Sequence, residues 1–265
     1  MNELIIEKSY EIDGSIVRHE FYSKLLDNQR SIDIYLPPDY EDNTDEYYPV
    51  IYMHDGNNLF DPTIAFGDVH WEVDTTIEKL IKIGALQKII VVGIHNTMGR
   101  DYEYTWTEMQ NEATGELEGG GGERYAEFIV SELKPFIDEN YRTLTDRENT
   151  ATIGSSLGGL ISLYLGLYYP QVFSKIGAMS PSLWWADGLI CDQINEMSPD
   201  LKIWLDMGTG EDLSRDQFLN VMEGLRNKGY NEGEKIVYLE DKGVEHSEQD
   251  WAKRFHLPLL FFFKK

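Results

Sequence analysis

Gly154-Ser155-Ser156-Leu157-Gly158 reads G-x-S-x-G and lies where an apolar, strand-like run, Thr150 to Ile153, turns directly into an apolar, helix-like run, Leu157 to Tyr169. That pattern predicts a nucleophile elbow: a strained turn lifts a serine hydroxyl above a sheet and leaves the next backbone N–H free to receive an oxyanion. Glycines two before and two after the serine let strand and helix approach closely. Only Ser156 has glycine at both positions, because the same register centred on Ser155 would need glycine at Ile153 and Leu157. Ser156 is therefore the candidate nucleophile.

Serine is a poor nucleophile at neutral pH unless a histidine takes its proton, and the histidine needs a carboxylate to fix its tautomer and stabilise its charge. Behind an elbow of this kind the chain order is Ser, acid, His. Of six histidines only His246 and His256 follow Ser156. His246 stands after the last expected strand and before the final helix; His256 sits within that helix among Phe255, Leu257 and Leu260, the setting of a packed structural histidine. His246 is the expected base. The acid belongs in the loop after the preceding strand, where Leu205-Asp206-Met207-Gly208-Thr209-Gly210-Glu211-Asp212 offers three carboxylates. Asp206 falls within the strand, and Asp212 stands just ahead of a helical pattern, where an N-cap is its ordinary job. Glu211 has no such competing role and is preferred, with Asp212 next.

An oxyanion needs two preorganised donors. Leu157 N–H is the first. The second is expected from Asn57 N–H, because an earlier strand runs into His54-Asp55-Gly56-Asn57-Asn58 and Gly56 lets the backbone turn inward. His54 and Asp55 resemble a metal pair but have no third ligand at suitable spacing, so orienting this loop is the better account. Trp184 and Trp185 follow Ser180-Pro181-Ser182 at the end of another strand, where an apolar wall would position a substrate; core packing is the alternative. Trp71 and Arg100 are further substrate-binding candidates, Arg100 being suited to an anionic group.

The elements that must hold these residues follow from periodicity. Alternating segments at Glu3 to Tyr10, Ile16 to Tyr22 and Ser31 to Leu36 predict antiparallel strands, with Asp13-Gly14 as a hairpin turn. Short β-rich runs at Val50 to Met53, Ile89 to Ile94, Thr150 to Ile153, Ile176 to Met179, Ile203 to Met207 and Ile236 to Leu239 then alternate with helical patterns near Val73 to Ile83, Glu123 to Glu139, Leu157 to Tyr169, Asp216 to Lys228 and Glu248 to Phe261. This alternation predicts an α/β fold with a mostly parallel sheet covered by helices on both faces, and a ligand site at the carboxyl ends of the strands. Gln110 to Gly122, acidic and ending in four glycines, is expected to be a flexible surface loop, with a lid as the sharper alternative.

At 265 residues and 42% hydrophobic, the chain suits a single α/β domain over residues 1–265. Asp plus Glu number 47 against 23 Lys plus Arg, a formal charge of −24, so nucleic acid would be repelled. The start, Met1 to Glu7, has neither a basic segment nor a long apolar one, and the apolar runs are too short to span a bilayer; a soluble, cytoplasmic protein is expected. Cys191 is alone, best suited to a buried structural thiol. No dinucleotide, P-loop or H-E-x-x-H motif appears, so no cofactor and no metal is expected.

With these residues in hand, the chain resembles the α/β-hydrolases named the putative esterases. The likeness rests on Tyr35-Leu36-Pro37-Pro38-Asp39-Tyr40, His54-Asp55-Gly56-Asn57-Asn58-Leu59-Phe60-Asp61, Gly154 to Gly159, Met179-Ser180-Pro181-Ser182-Leu183-Trp184-Trp185 and Gly243 to His246. The resemblance implies the α/β-hydrolase fold and serine acyl-enzyme chemistry on an ester. Members include feruloyl and acetylxylan esterases, S-formylglutathione hydrolase and esterases that open siderophore trilactones. Many relatives carry Asp where this chain has Glu211, and some siderophore esterases work with a Ser-His dyad. An ester hydrolase acting on small acyl or aromatic esters, including those of carbohydrates, is the leading expectation. A siderophore trilactone esterase is the alternative, and a non-catalytic binding module is the reading from a different class.

Overall fold

The computed structural model describes residues 3–5, 12–111, 113–211 and 215–265. In chain order, β1 (Glu3–Ile5), β2 (Ser15–Ser23) and β3 (Asn28–Leu36) lead into β4 (Val50–Met53), helix α1 (Val73–Lys82) and β5 (Ile90–Ile94). A short helix α2 (Arg100–Glu103) and a small hairpin, β6 (Glu108–Gln110) with β7 (Leu117–Gly119), precede a long helix built from α3 (Gly122–Phe128), a π-helical turn (Ile129–Leu133) and α4 (Lys134–Asn140). The widened turn falls just before Pro135, whose ring lacks an N–H and presses on the carbonyl four residues back. Then follow β8 (Thr150–Ser155), α5 (Leu157–Tyr168), β9 (Lys175–Met179), α6 (Leu189–Gln193), β10 (Lys202–Gly208), α7 (Arg215–Asn227), β11 (Ile236–Asp241), α8 (Glu248–Arg254) and α9 (His256–Phe263).

Among the described residues, the strands other than β6 and β7 form one sheet in the order β1-β2-β3-β5-β4-β8-β9-β10-β11. The first three run antiparallel, and every pairing from β5 through β11 is parallel. All four residues of β4 and all five of β5 are buried, because a parallel sheet is covered on both faces. Their side chains alternate between two cores. Val50, Tyr52, Val92 and Ile94 pack with α5 and the long α3–α4 helix; Ile51, Met53 and Val91 pack with α1, α8 and α9. Helix α5 lies inside one of these layers and is apolar all round.

Two expectations change. The strand expected over Glu3 to Tyr10 is observed at Glu3–Ile5, and residues 6–11 lie outside the described set. Asp13 and Gly14 form a bend just ahead of β2, and their backbone N–H groups donate to the Glu78 carboxylate at 2.8 Å each. The second change is the glycine run, which is a packed connection instead of a free loop. Gly120 and Gly122 N–H donate to Thr105 O, and Gly121 N–H donates to Tyr102 O. A Cβ at Gly121 would meet the Tyr102 ring at 2.2 Å, and one at Gly119 would meet Thr105 and Trp185 within 2.6 Å. Close approach explains these glycines.

Candidate active site

The strand-to-helix junction at the carboxyl end of β8 is held by backbone contact: a Cβ at Gly154 would lie 2.5 Å from the backbone of Gly158. Ser156 sits between them at φ 57°, ψ −125°, a conformation that costs a non-glycine residue about 1–3 kcal/mol and is sustained by its surroundings. Its own N–H donates to Met179 O at 3.0 Å, and its carbonyl accepts from Ser182 N–H at 3.0 Å, so β9 and the loop beyond it clamp the turn. Leu157 opens α5, so its N–H has no carbonyl within the helix to donate to.

Three loops converge on this serine. Beyond β11, His246 places Nε2 3.0 Å from Ser156 Oγ and Nδ1 2.7 Å from Glu211 Oε2, with its ring edge-on to Trp251 at 4.8 Å. Beyond β10, Glu211 keeps its other oxygen for Ser180 Oγ–H at 2.6 Å and Gly208 N–H at 2.8 Å. Burial opposes the charge on Glu211, yet the hydrogen bonds from His246, Ser180 and Gly208 hold its carboxyl below the usual carboxylate range. Ser180 in turn accepts from Trp251 Nε1 at 3.0 Å and from the Arg254 guanidinium at 2.7 Å, which uses all its hydrogen-bonding capacity. Arg254 Nε also reaches Asp206 at 2.9 Å. Asp206 is therefore a buried anchor beneath the site, and Asp212 lies outside the described residues. His256 stands apart, its Nδ1 3.0 Å from Lys253 O at the start of α9.

Beyond β4, His54 is wholly buried between the Tyr125 hydroxyl at 3.0 Å and Thr152 Oγ1 at 3.2 Å, and burial depresses its pKa to about 3. Asp55 turns the chain through φ 54° and is gripped by Arg100 through two bonds of 2.7 and 2.9 Å and by Asn96 Nδ2 at 2.6 Å. Burial raises the cost of its charge, but Arg100 keeps the carboxyl below its ordinary range. The next residue, Gly56, lies against β5 so tightly that a Cβ would be 2.5 Å from Gly93 C. Asn57 follows in a single 3-10 turn, Gly56–Asn58, facing the cleft. No group of three or more His, Cys, Asp or Glu suited to a metal occurs among the described residues.

A cleft of about 730 Å³ opens over Ser156 and His246, lined also by Asn57, Arg100, Phe66, Glu248 and Trp251 among others. The structure thus brings Ser156, His246, Glu211, Asn57, Leu157 and Arg100 to one edge. The tryptophans are placed differently. Trp185 is 5% exposed and donates to Thr107 O at 3.1 Å, making it a core residue under the small hairpin; Trp184 is 37% exposed and does not line the cleft. Trp71 lies behind the wall, its Nε1 donating to Glu248 and its ring beside Trp251 and Phe255. The cleft's apolar surface comes instead from Ile64, Phe66, Val69 and Trp251, which carry no local motif. Ser182 Oγ stands 3.2 Å from Ser156 Oγ, a contact that no local spacing announces.

Comparison with known proteins adds lineage to this geometry. The sequence profile of the family described as "Putative esterase" matches residues 23–261. The uncharacterized protein YbbA of Bacillus subtilis (strain 168) is 27% identical over 262 residues, 95% of this chain and 97% of that protein. The ferri-bacillibactin esterase BesA of the same organism is 30% identical over 149 residues, 52% of this chain and 49% of that protein. Among solved structures, a ferulic acid esterase superposes with a TM-score of 0.73 at 20% identity, covering 96% of this chain and 99% of that one. The enterobactin esterase FES from Shigella flexneri gives 0.76 at 21% identity, covering 96% and 60%. These likenesses establish an α/β fold shared with esterases. No helix among the described residues is long and apolar enough to cross a membrane.

Proposed function

Because the chain belongs to the putative esterase family, we propose that it is a serine carboxylic-ester hydrolase acting through an acyl-enzyme. The observation that carries this reading is the unbroken series Ser156 Oγ, His246 Nε2, His246 Nδ1 and Glu211 Oε2, with separations of 3.0 and 2.7 Å at its two hydrogen bonds. His246 removes the Ser156 proton as Oγ attacks the ester carbonyl, and Glu211 stabilises the resulting imidazolium. The N–H groups of Leu157 and Asn57 receive the oxyanion, aided by the positive end of α5. The imidazolium then gives its proton to the departing alcohol. Water, deprotonated by the same imidazole, attacks the acyl-enzyme, and the acid leaves as Ser156 recovers its proton.

The cleft suits small acyl and aromatic esters, including esters of carbohydrates. The purified protein is expected to hydrolyse 4-nitrophenyl acetate in the presence of EDTA, and Ser156→Ala to abolish this while Ser155→Ala retains it. Exchanged results would move the elbow register by one residue. Activity lost to EDTA and restored by a divalent ion would contradict the mechanism.

A further inference from the structure

Of the charged groups lining the cleft that the reaction leaves unused, Asp55 and Arg100 pair with each other and Glu248 does not pair with a cation. Glu248, two residues after His246 and in the first turn of α8, lines the cleft beside Asn57, Phe66 and Trp251. One carboxyl oxygen accepts from Asn58 Nδ2 at 3.0 Å and the other from Trp71 Nε1. Neither donor carries a positive charge. Arg100 is the sole Arg or Lys among the described lining residues, and its fork is committed to Asp55. Asp55 and Arg100 offset each other, so Glu248 remains as the uncompensated charge of the cleft. Burial pushes its carboxyl above the usual carboxylate range. Each carboxylate oxygen has capacity for another hydrogen bond beyond the one it receives.

The position of Glu248 relates it to one half of an ester. The imidazole must deliver its proton to the leaving oxygen, so the alcohol portion departs over His246. Glu248 belongs to the same short segment. The exposed side chains of Ile64 and Phe66 also line the cleft and give it an apolar surface.

We propose that Glu248 is a specificity-determining residue for the alcohol portion of the ester: it accepts a hydrogen bond from a hydroxyl on an uncharged alcohol and turns away alcohols that carry a negative charge. This rests on the esterase reading above. It disfavours multiply anionic substrates such as a ferric catecholate complex, for which the cleft offers no unpaired cation.

Three acetates differing only in the alcohol test it: glyceryl monoacetate, propyl acetate and O-acetyl-lactate. In the unmodified protein, kcat/KM should fall in that order, by about tenfold from the hydroxylated to the plain alcohol, the scale of one charge-assisted hydrogen bond, and by at least a further tenfold or so to the anion. In Glu248→Gln, the anionic-to-plain ratio should rise by about tenfold and the glyceryl-to-propyl ratio should shrink severalfold. Because that variant also removes an acceptor from Trp71 or Asn58, the ratios within the unmodified protein form an independent arm. Equal use of glyceryl acetate and O-acetyl-lactate there overturns the proposal. So does an anionic-to-plain ratio unchanged by Glu248→Gln, which would assign the discrimination to the overall charge of −24. No hydrolysis of any of the three esters, with no labelling by a fluorophosphonate, would instead overturn the esterase reading itself.

Discussion

Two regions of the sheet's carboxyl edge, on opposite sides of the strand β8 that leads into Ser156, each set a histidine near a carboxylate, and they are built to opposite ends. Beyond β4, His54 is sealed between Tyr125 and Thr152, and both oxygens of the Asp55 carboxylate are held by Arg100, with Asn96 on one of them. Beyond β10 and β11, His246 opens on the cleft, and Glu211 keeps one oxygen for it while the other is anchored through Ser180 to Arg254. Both carboxylates are held below their usual range, so charge alone does not separate them. Solvent access and a direct carboxylate–imidazole hydrogen bond do: the His246 side chain is exposed and bonded to Glu211, whereas His54 is buried and bonded to Tyr125 and Thr152. A histidine that must take up and release a proton needs an environment that tolerates its cation; His54, depressed to about 3 by burial, has none.

The widest separation between the two regions should appear in kcat. His246→Ala is expected to lower it by roughly 10⁶-fold, whereas His54→Gln should cost no more than about 100-fold, the scale of a small misplacement of the oxyanion loop. Comparable losses from both, measured on a short aryl ester, would erase the distinction. Next come the carboxylates. Glu211→Gln should reduce kcat by about 10⁴-fold with unfolding little changed, because it removes the charge facing the imidazolium. Asp55→Asn should reduce kcat far less but destabilise the fold by about 3 kcal/mol in urea titrations, since it leaves Arg100 without its partner.

The smallest effect sharpens the comparison through pH. The folded-state pKa of His54, about 3, lies below that of an unfolded histidine, near 6.5, so as pH falls the unfolded chain binds the extra proton first. Stability contributed by neutral His54 is therefore complete above about pH 6.5 and is lost towards pH 3, by about 1.4 kcal/mol per unit. Between pH 7 and pH 5, His54→Gln should lose about 2 kcal/mol less than the unmodified protein. Parallel losses would mean that His54 is protonated in the folded state.

What the chain discloses about itself follows the range of the interactions. Strands such as Val50–Met53 and helices such as α5 were legible because burial on both faces imposes local apolar runs. The elbow was legible because the close approach of Gly154 to Gly158 is local, although Gly158 also faces His54 and Asp55 from the loop after β4. Chain order narrowed the base to His246 or His256 and the acid to Asp206, Glu211 or Asp212, and the competing roles of the others pointed to His246 and Glu211, which hydrogen-bond in series to Ser156. The cleft walls were not legible: Phe66 and Glu248 are ordinary residues in their own segments, and only the packing of separate loops makes them neighbours. Trp185 misled because an aromatic pair near a strand end looks alike whether it faces substrate or, as here, the hairpin at Thr107. The run Gly119 to Gly122 misled similarly, since composition reveals missing side chains but not the Tyr102 ring against Gly121 or Thr105 and Trp185 against Gly119.

Ser156 Oγ is the atom that must act as nucleophile. Treatment of the purified protein with a fluorophosphonate, followed by proteolysis and fragment mass spectrometry, reads this directly. The predicted result is a single adduct on Ser156, absent from both Ser156→Ala and His246→Ala over the same time. An adduct on Ser155 or on the neighbouring Ser182, or ester hydrolysis that continues with no serine labelled, would contradict it.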